Sequence, residues 1–133
     1  MPLRVVLDTN VLVRHLTADP PEQGRQATAF LARAEELLLP DLVIAELVYA
    51  LESGYELERP RVTELVRAVI AFPAIVVLDE TLLLRALELY ERESLDFTTS
   101  YLAASAERSG VGAVASFYHS LESLESVRLI EPA

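Results

Sequence analysis

Apolar positions recur along the chain with two alternating periods, and this pattern predicts an α/β protein. Short apolar runs closed by Asp, Pro or Gly predict strands, whereas segments with apolar residues three or four apart predict amphipathic helices. The predicted strands are Leu3–Leu7, Leu37–Leu39, Ile75–Leu78, Ala113–Phe117 and Val127–Ile130. The predicted helices are Asn10–Ala18, Glu22–Glu36, Asp41–Leu51, Pro60–Pro73, Glu80–Glu93 and Asp96–Ser109. Because strands alternate with helices, we expect a parallel sheet covered on both faces.

Length and composition predict one globular domain over residues 1–133. A chain of this length buries about two-thirds of its unfolded surface, and a hydrophobic content of 52% is typical of a folded core. The apolar runs are far shorter than the roughly 20 residues that cross a bilayer, so we expect no membrane segment and a cytoplasmic location. Since cysteine is absent, a disulfide framework and a thiolate metal site are excluded.

The charge balance restricts the partners that the chain can bind. The formal net charge is −10, and all basic residues are arginine. Such acidity argues against nonspecific binding of nucleic acid, because affinity for phosphates comes mostly from cationic contacts. A nucleic acid could still bind to a local basic patch, and Arg4, Arg14 and Arg25 lie close together in sequence. An acidic surface would also suit an arginine-rich protein partner.

Asp8 stands where the first predicted strand gives way to a helix. In an open α/β sheet, ligands bind at the carboxyl ends of the strands, so an acid at this point is positioned for a metal or a substrate. The alternative is that Asp8 caps the helix, since Asp, Thr and Asn are all favourable cap residues.

Two further acids are candidates for the same site. Glu46 lies in a helix that is apolar almost all round, where a carboxylate needs compensation; it either faces outward along a polar stripe or meets another acid across a cation. Asp96 lies at a helix start, where capping is the alternative. Three acids in one pocket would repel one another unless a divalent cation lay between them, and an all-oxygen site favours Mg²⁺ or Mn²⁺.

The ordered set of these segments resembles the PIN domain of the VapC type. The resemblance covers nearly the whole chain and rests on Leu7–Leu12, Ala45–Leu51, Leu95–Phe97, Tyr101–Ala104, Ser116–Phe117 and Val127–Pro132. It implies a three-layer α/β/α fold with a central parallel sheet and a Mg²⁺- or Mn²⁺-dependent endoribonuclease. It also implies a homodimer, an RNA substrate and a VapB-like antitoxin that occupies the cleft. Asp8 and Glu46 match the family's first two acids, and we assign Asn10, Arg14 and Ser116 to substrate binding.

The chain departs from the family pattern at two positions. Relatives with Asp-Phe here commonly carry a second aspartate three residues later, where this chain has Thr99. The family also commonly reads Thr-Phe-Asp on the fourth strand, where this chain ends the motif with Tyr118. Asp96 lies one turn before Thr99 and can partly substitute as the third catalytic and metal-binding acid. Two losses indicate a weakened nuclease, and the alternative is a non-catalytic PIN-like module that keeps dimerisation and antitoxin binding.

Overall fold

The computed structural model describes residues 3–133, which form six α-helices, five short strands and one 3₁₀ segment. They divide into two compact units, one extending to Leu78 and the other running from Asp79 to Ala133. All strand pairs are parallel, which confirms the predicted α/β class. No helix in the described part of the chain is long and apolar enough to cross a membrane.

The first unit contains a three-stranded sheet and four helices. Its elements are β1 (Arg4–Val6), α1 (Thr9–Thr17), α2 (Pro21–Arg33), β2 (Glu36–Leu38), α3 (Asp41–Ser53), α4 (Arg59–Ile70) and β3 (Ile75–Val76). The strand order is β1-β2-β3, with Val5 opposite Leu37 and Leu37 opposite Ile75. β1 and β3 are shorter than the apolar runs that predicted them, and β2 is displaced by one residue from its predicted range. Hydrogen bonding continues past β1 and β2 through the backbone N–H groups of Leu7 and Leu39.

The core of the first unit lies between the sheet and its helices. Its fully buried side chains include Leu12, Leu37, Leu39, Ile44, Leu47, Leu51, Val62 and Val66. Helix α1 packs against α2 and α3, and α3 packs against α4. Gly24 allows α2 to approach the end of α1 closely, because a Cβ at residue 24 would lie 2.6 Å from the Cα of Ala18.

The second unit pairs two helices and carries a two-stranded parallel sheet. Its elements are α5 (Glu80–Arg92), α6 (Phe97–Ser109), β4 (Ala113–Ala115), the 3₁₀ segment (His119–Ser123) and β5 (Arg128–Ile130). Helix α5 packs against α6 around Leu83, Leu87 and Tyr90. Helix α6 ends at Gly110, whose φ of 79° is the left-handed conformation that a residue without a Cβ adopts readily. The 3₁₀ segment was not predicted from the sequence.

Candidate active site

Asp8 lies at the carboxyl end of β1 and at the start of α1. The N–H of Leu7 donates to the carbonyl of Leu38 at 2.9 Å, so the parallel ladder runs to the residue before Asp8. The Asp8 backbone is extended, and its Oδ1 accepts a hydrogen bond from the N–H of Thr9 at 2.7 Å. The capping role considered for this residue is therefore present, and the carboxylate itself is exposed.

Glu46 projects from α3 on the side away from the core. Ile44, Leu47 and Val48 are buried, whereas Glu46 is exposed. Glu46 is therefore not buried, and exposed apolar residues on the same face explain why the helix looked apolar almost all round in the sequence. Exposed Leu42 and Tyr49 are four and three residues from Glu46 in sequence, which places all three on one helix face.

Thr9 joins the two acids. Its hydroxyl donates to Oε2 of Glu46 at 2.9 Å, while its N–H donates to Oδ1 of Asp8. Two hydrogen bonds that end on one threonine hold these carboxylate oxygens less than about 10 Å apart. The packing of α1 against α3 thus brings together Asp8 and Glu46, which are 38 positions apart in sequence.

The donor set of this pair suits a hard divalent cation. Asp8 and Glu46 supply only carboxylate oxygen, and Mg²⁺ is usually bound through one or two carboxylates with several waters retained. Within residues 3–133, no group of three His, Asp or Glu side chains is arranged to hold an ion. The acids that Thr9 links in the first unit are thus a pair, Asp8 and Glu46.

Asn10 and Arg14, both assigned to substrate binding, follow Asp8 on α1. Asn10 is exposed, and Arg14 is half-buried. The Nε of Arg14 donates to Oε1 of Gln23 at 2.6 Å, so its partner is a neutral amide. The guanidinium keeps its positive charge available for a ligand.

The remaining candidates lie in the second unit. Asp96 caps α6 by accepting a hydrogen bond from the N–H of Thr99 at 2.7 Å, and the Thr99 side chain is buried. The Oγ of Ser116 accepts from the N–H of Tyr118 at 2.9 Å, which leaves the Ser116 hydroxyl proton to be donated elsewhere. That Asp96 and Ser116 join Asp8 and Glu46 in one site stays a prediction.

Thr9 is the residue that sequence reasoning missed. The sequence indicated it only as a favourable residue at a helix cap. Its hydrogen bond to Glu46 depends on how α1 packs against α3. The available signal was its position: a hydroxyl directly after an acid, at the first position of a helix, is well placed to contact whatever faces that acid.

Comparison with known proteins identifies the class. The PIN domain family model matches residues 5–123, so the chain belongs to the PIN domain family, and the predicted PIN-like α/β/α fold class is confirmed. A VapC ribonuclease from Aquifex aeolicus (strain VF5) is 30% identical over 116 residues, which cover 84% of this chain and 85% of that protein.

Proposed function

We propose that this chain is a metal-dependent endoribonuclease of the VapC toxin type. The observation that carries the proposal is the Asp8–Thr9–Glu46 hydrogen-bond chain at the carboxyl end of a parallel sheet. It supplies two carboxylates within reach of one cation, at the edge where α/β proteins bind ligands. Membership of the PIN family and similarity to a VapC ribonuclease support the same assignment.

Each proposed residue has a role that follows from its chemistry. Asp8 and Glu46 would hold Mg²⁺ or Mn²⁺, with Asp96 as the third acid, and Thr9 orients Glu46 through its hydroxyl. When bound, the cation would lower the pKa of a water and offset negative charge on the phosphodiester. Asn10 and Ser116 would donate hydrogen bonds to the RNA, and Arg14 would contact a phosphate.

The direct test is cleavage of RNA by the purified chain with Mg²⁺ or Mn²⁺. We expect metal-dependent cleavage that Asp8→Asn abolishes, because asparagine keeps the helix cap but removes the charge. Glu22→Gln is the matched control, since Glu22 is an exposed acid on α2 away from the pair. Cleavage that survives Asp8→Asn, or that needs no divalent cation, would contradict the proposal.

The second candidate is a non-catalytic PIN module, and it is favoured by Thr99 and Tyr118. Both positions carry carboxylates in the family pattern, and their loss lowers the negative charge available to a cation. Thr99→Asp with Tyr118→Asp should then tighten Mn²⁺ binding and raise RNA cleavage, and Asp8→Asn should remove the gain. Robust cleavage by the unaltered chain would show instead that Asp96 suffices. If neither chain cuts RNA while both stay folded, the binding module is the better description.

A VapB-like antitoxin is the proposed protein partner. The exposed carboxylates of Asp8 and Glu46 would attract an arginine from such a partner. A small upstream gene for a DNA-binding protein would support this role. Co-expression of that protein should relieve growth inhibition by the chain, and unchanged inhibition would count against the pairing.

We also propose a homodimer formed through α3 and α4. Most apolar side chains of these helices are buried within the unit, and Leu42 and Tyr49 are the large apolar side chains that α3 exposes. Sedimentation should show a dimer at micromolar concentration and a monomer for Leu42→Ser with Tyr49→Ser. A monomeric parent chain would contradict the proposal.

A further inference from the structure

A groove between α1 and α2 is left mostly unused by the proposed catalytic roles. It has a volume of about 570 Å³. Its polar and aromatic lining residues are Asn10, Arg14, Gln23, Gln26, Phe30 and Arg33. Within residues 3–133, no aspartate or glutamate lines it, although acids outnumber basic residues by 21 to 11 in the chain. The groove is therefore a local exception to an acidic protein.

Both arginines of the groove are positioned without being neutralised. Arg14 is held by the neutral Gln23 side chain at 2.6 Å. The Arg33 guanidinium carbon lies 5.4 Å from the centre of the Phe30 ring, a cation–π contact that restrains it and leaves its charge uncompensated. By contrast, Arg4 forms an ion pair with Glu36.

The chemistry of the lining fits a single strand of nucleic acid. Two guanidinium groups can contact successive phosphates, and the Arg33–Phe30 pair offers a flat surface against which a base can stack. The amides of Asn10, Gln23 and Gln26 can donate to and accept from base edges, which are exposed in a single strand and hidden in a duplex.

The groove and the acid pair share helix α1. Asn10 lines the groove and lies two positions after Asp8, on the first turn of the helix that Asp8 caps. A strand that followed the groove would thus be delivered to the Asp8–Thr9–Glu46 chain. We propose that the groove between α1 and α2 binds single-stranded RNA next to the scissile bond, an inference that rests on the proposed nuclease function.

The test is RNA binding in the Asp8→Asn chain, where cleavage does not interfere. A labelled single-stranded RNA of mixed sequence is titrated by fluorescence anisotropy at several salt concentrations. Arg14→Gln with Arg33→Gln should weaken binding at least about tenfold at low salt, and should reduce the slope of log affinity against log salt by roughly 1.4, because each lost phosphate contact removes about 0.7. Phe30→Leu should weaken binding about fivefold or more with the slope unchanged.

Arg25→Gln is the matched control, since Arg25 is an exposed arginine of α2 outside the groove. It should leave both affinity and slope close to those of the parent. Equal losses for Arg25→Gln and the double variant would overturn the proposal, because they would reflect overall charge alone. Duplex RNA binding as tightly as single strands would also overturn it.

Two further outcomes separate this inference from the proposed function. If the parent cuts RNA and the folded double variant binds and cuts equally well, the groove proposal is wrong while the nuclease stands. If the parent binds RNA through the groove but never cuts it, the nuclease proposal fails and the groove proposal stands.

An acidic peptide is the alternative ligand of the groove. If the double variant loses binding to a polyglutamate peptide but binds RNA as well as the parent does, the groove is an acidic peptide site and the RNA proposal is overturned. A parent chain that binds no RNA would overturn both. Circular dichroism melts confirm that each variant is folded.

Discussion

Asp8 caps a helix and faces a second carboxylate, and two substitutions separate these roles. Asp8→Asn keeps an oxygen that can accept from the N–H of Thr9, whereas Asp8→Ala removes it. Loss of an N-cap costs about 1 kcal/mol. We therefore expect Asp8→Ala to lower the free energy of unfolding by about that amount relative to Asp8→Asn.

In the metal-free protein, the two effects of the lost charge in Asp8→Asn on the free energy of unfolding should nearly cancel. Removing a negative charge from a helix N-terminus costs about 0.3–1 kcal/mol. Relief of repulsion from Glu46, at a separation below about 10 Å, returns roughly 0.5 kcal/mol in water. The net change should stay within about 0.5 kcal/mol of zero, so the variant remains a folded and well-matched control.

The effect of Mn²⁺ on the melting temperature should distinguish the parent from both Asp8 variants. A ligand at ten times its dissociation constant stabilises the folded state by about 1.4 kcal/mol, which for a chain of this size raises the melting temperature by roughly 3–6 °C. We expect a rise of this order when the parent is melted with saturating Mn²⁺, and none for Asp8→Asn or Asp8→Ala. Glu22→Gln should respond like the parent.

Thermal melts followed by circular dichroism, with and without Mn²⁺, give all of these values. If Asp8→Asn showed the same rise as the parent, Asp8 would not bind the ion. If Asp8→Ala were as stable as Asp8→Asn, the Thr9 hydrogen bond would contribute nothing to stability. Either result would refute the corresponding half of the reasoning.

The remaining predictions concern stability and titration. Thr63 is fully buried on α4, and its hydroxyl has no hydrogen-bond partner in the described part of the chain, so Thr63→Val should raise the free energy of unfolding in urea by about 1 kcal/mol, and a decrease would contradict this. Glu107 accepts two hydrogen bonds from Arg85, at 2.8 and 3.0 Å, which hold its pKa below the ordinary value of 4.5. Glu107→Gln should cost about 1–2 kcal/mol at pH 7, and since the ionised form is the one stabilised, the difference should shrink below pH 4.5 and vanish as the pH falls through the lowered pKa. Glu122 raises the pKa of the exposed His119 above 6.5; an NMR titration should show this and should show a lower value in Glu122→Gln, and the stabilisation should be present below pH 6.5 and lost as the pH rises through the His119 pKa.

Local signals in the sequence predicted where the helices start, although the second helix was expected to run to Glu36, which lies in β2. Helix α5 begins at Glu80 and Pro60 lies in the first turn of α4, both as predicted. Asp79 caps α5 by accepting a hydrogen bond from the N–H of Leu82 at 3.1 Å. Such signals act within one turn, so a single sequence carries them in full. Strand ends were predicted less well because a strand extends only as far as its neighbour can bond to it, and the partner strand is distant in sequence.

The candidate site was predicted in part for the same reason. Asp8 was identified from its position between a strand and a helix, which is local information. The contact between Thr9 and Glu46 and the Arg14–Gln23 hydrogen bond both arise from helix packing. Arg33 was not considered at all, since nothing near it in sequence indicated that α2 would present it to the same groove as Arg14.

Capping and ligand binding are compatible roles for one carboxylate, although the sequence presents them as alternatives. A cap engages one oxygen of Asp8, through the N–H of Thr9, and the second oxygen of the carboxylate can still bind a cation. The cap also fixes the direction of the Asp8 side chain, so this side chain loses less conformational freedom when an ion binds. Asp96 is held in the same way by the N–H of Thr99. Capping at these two residues is therefore no argument against a metal site, and only a substitution that keeps the cap while removing the charge can tell the two roles apart.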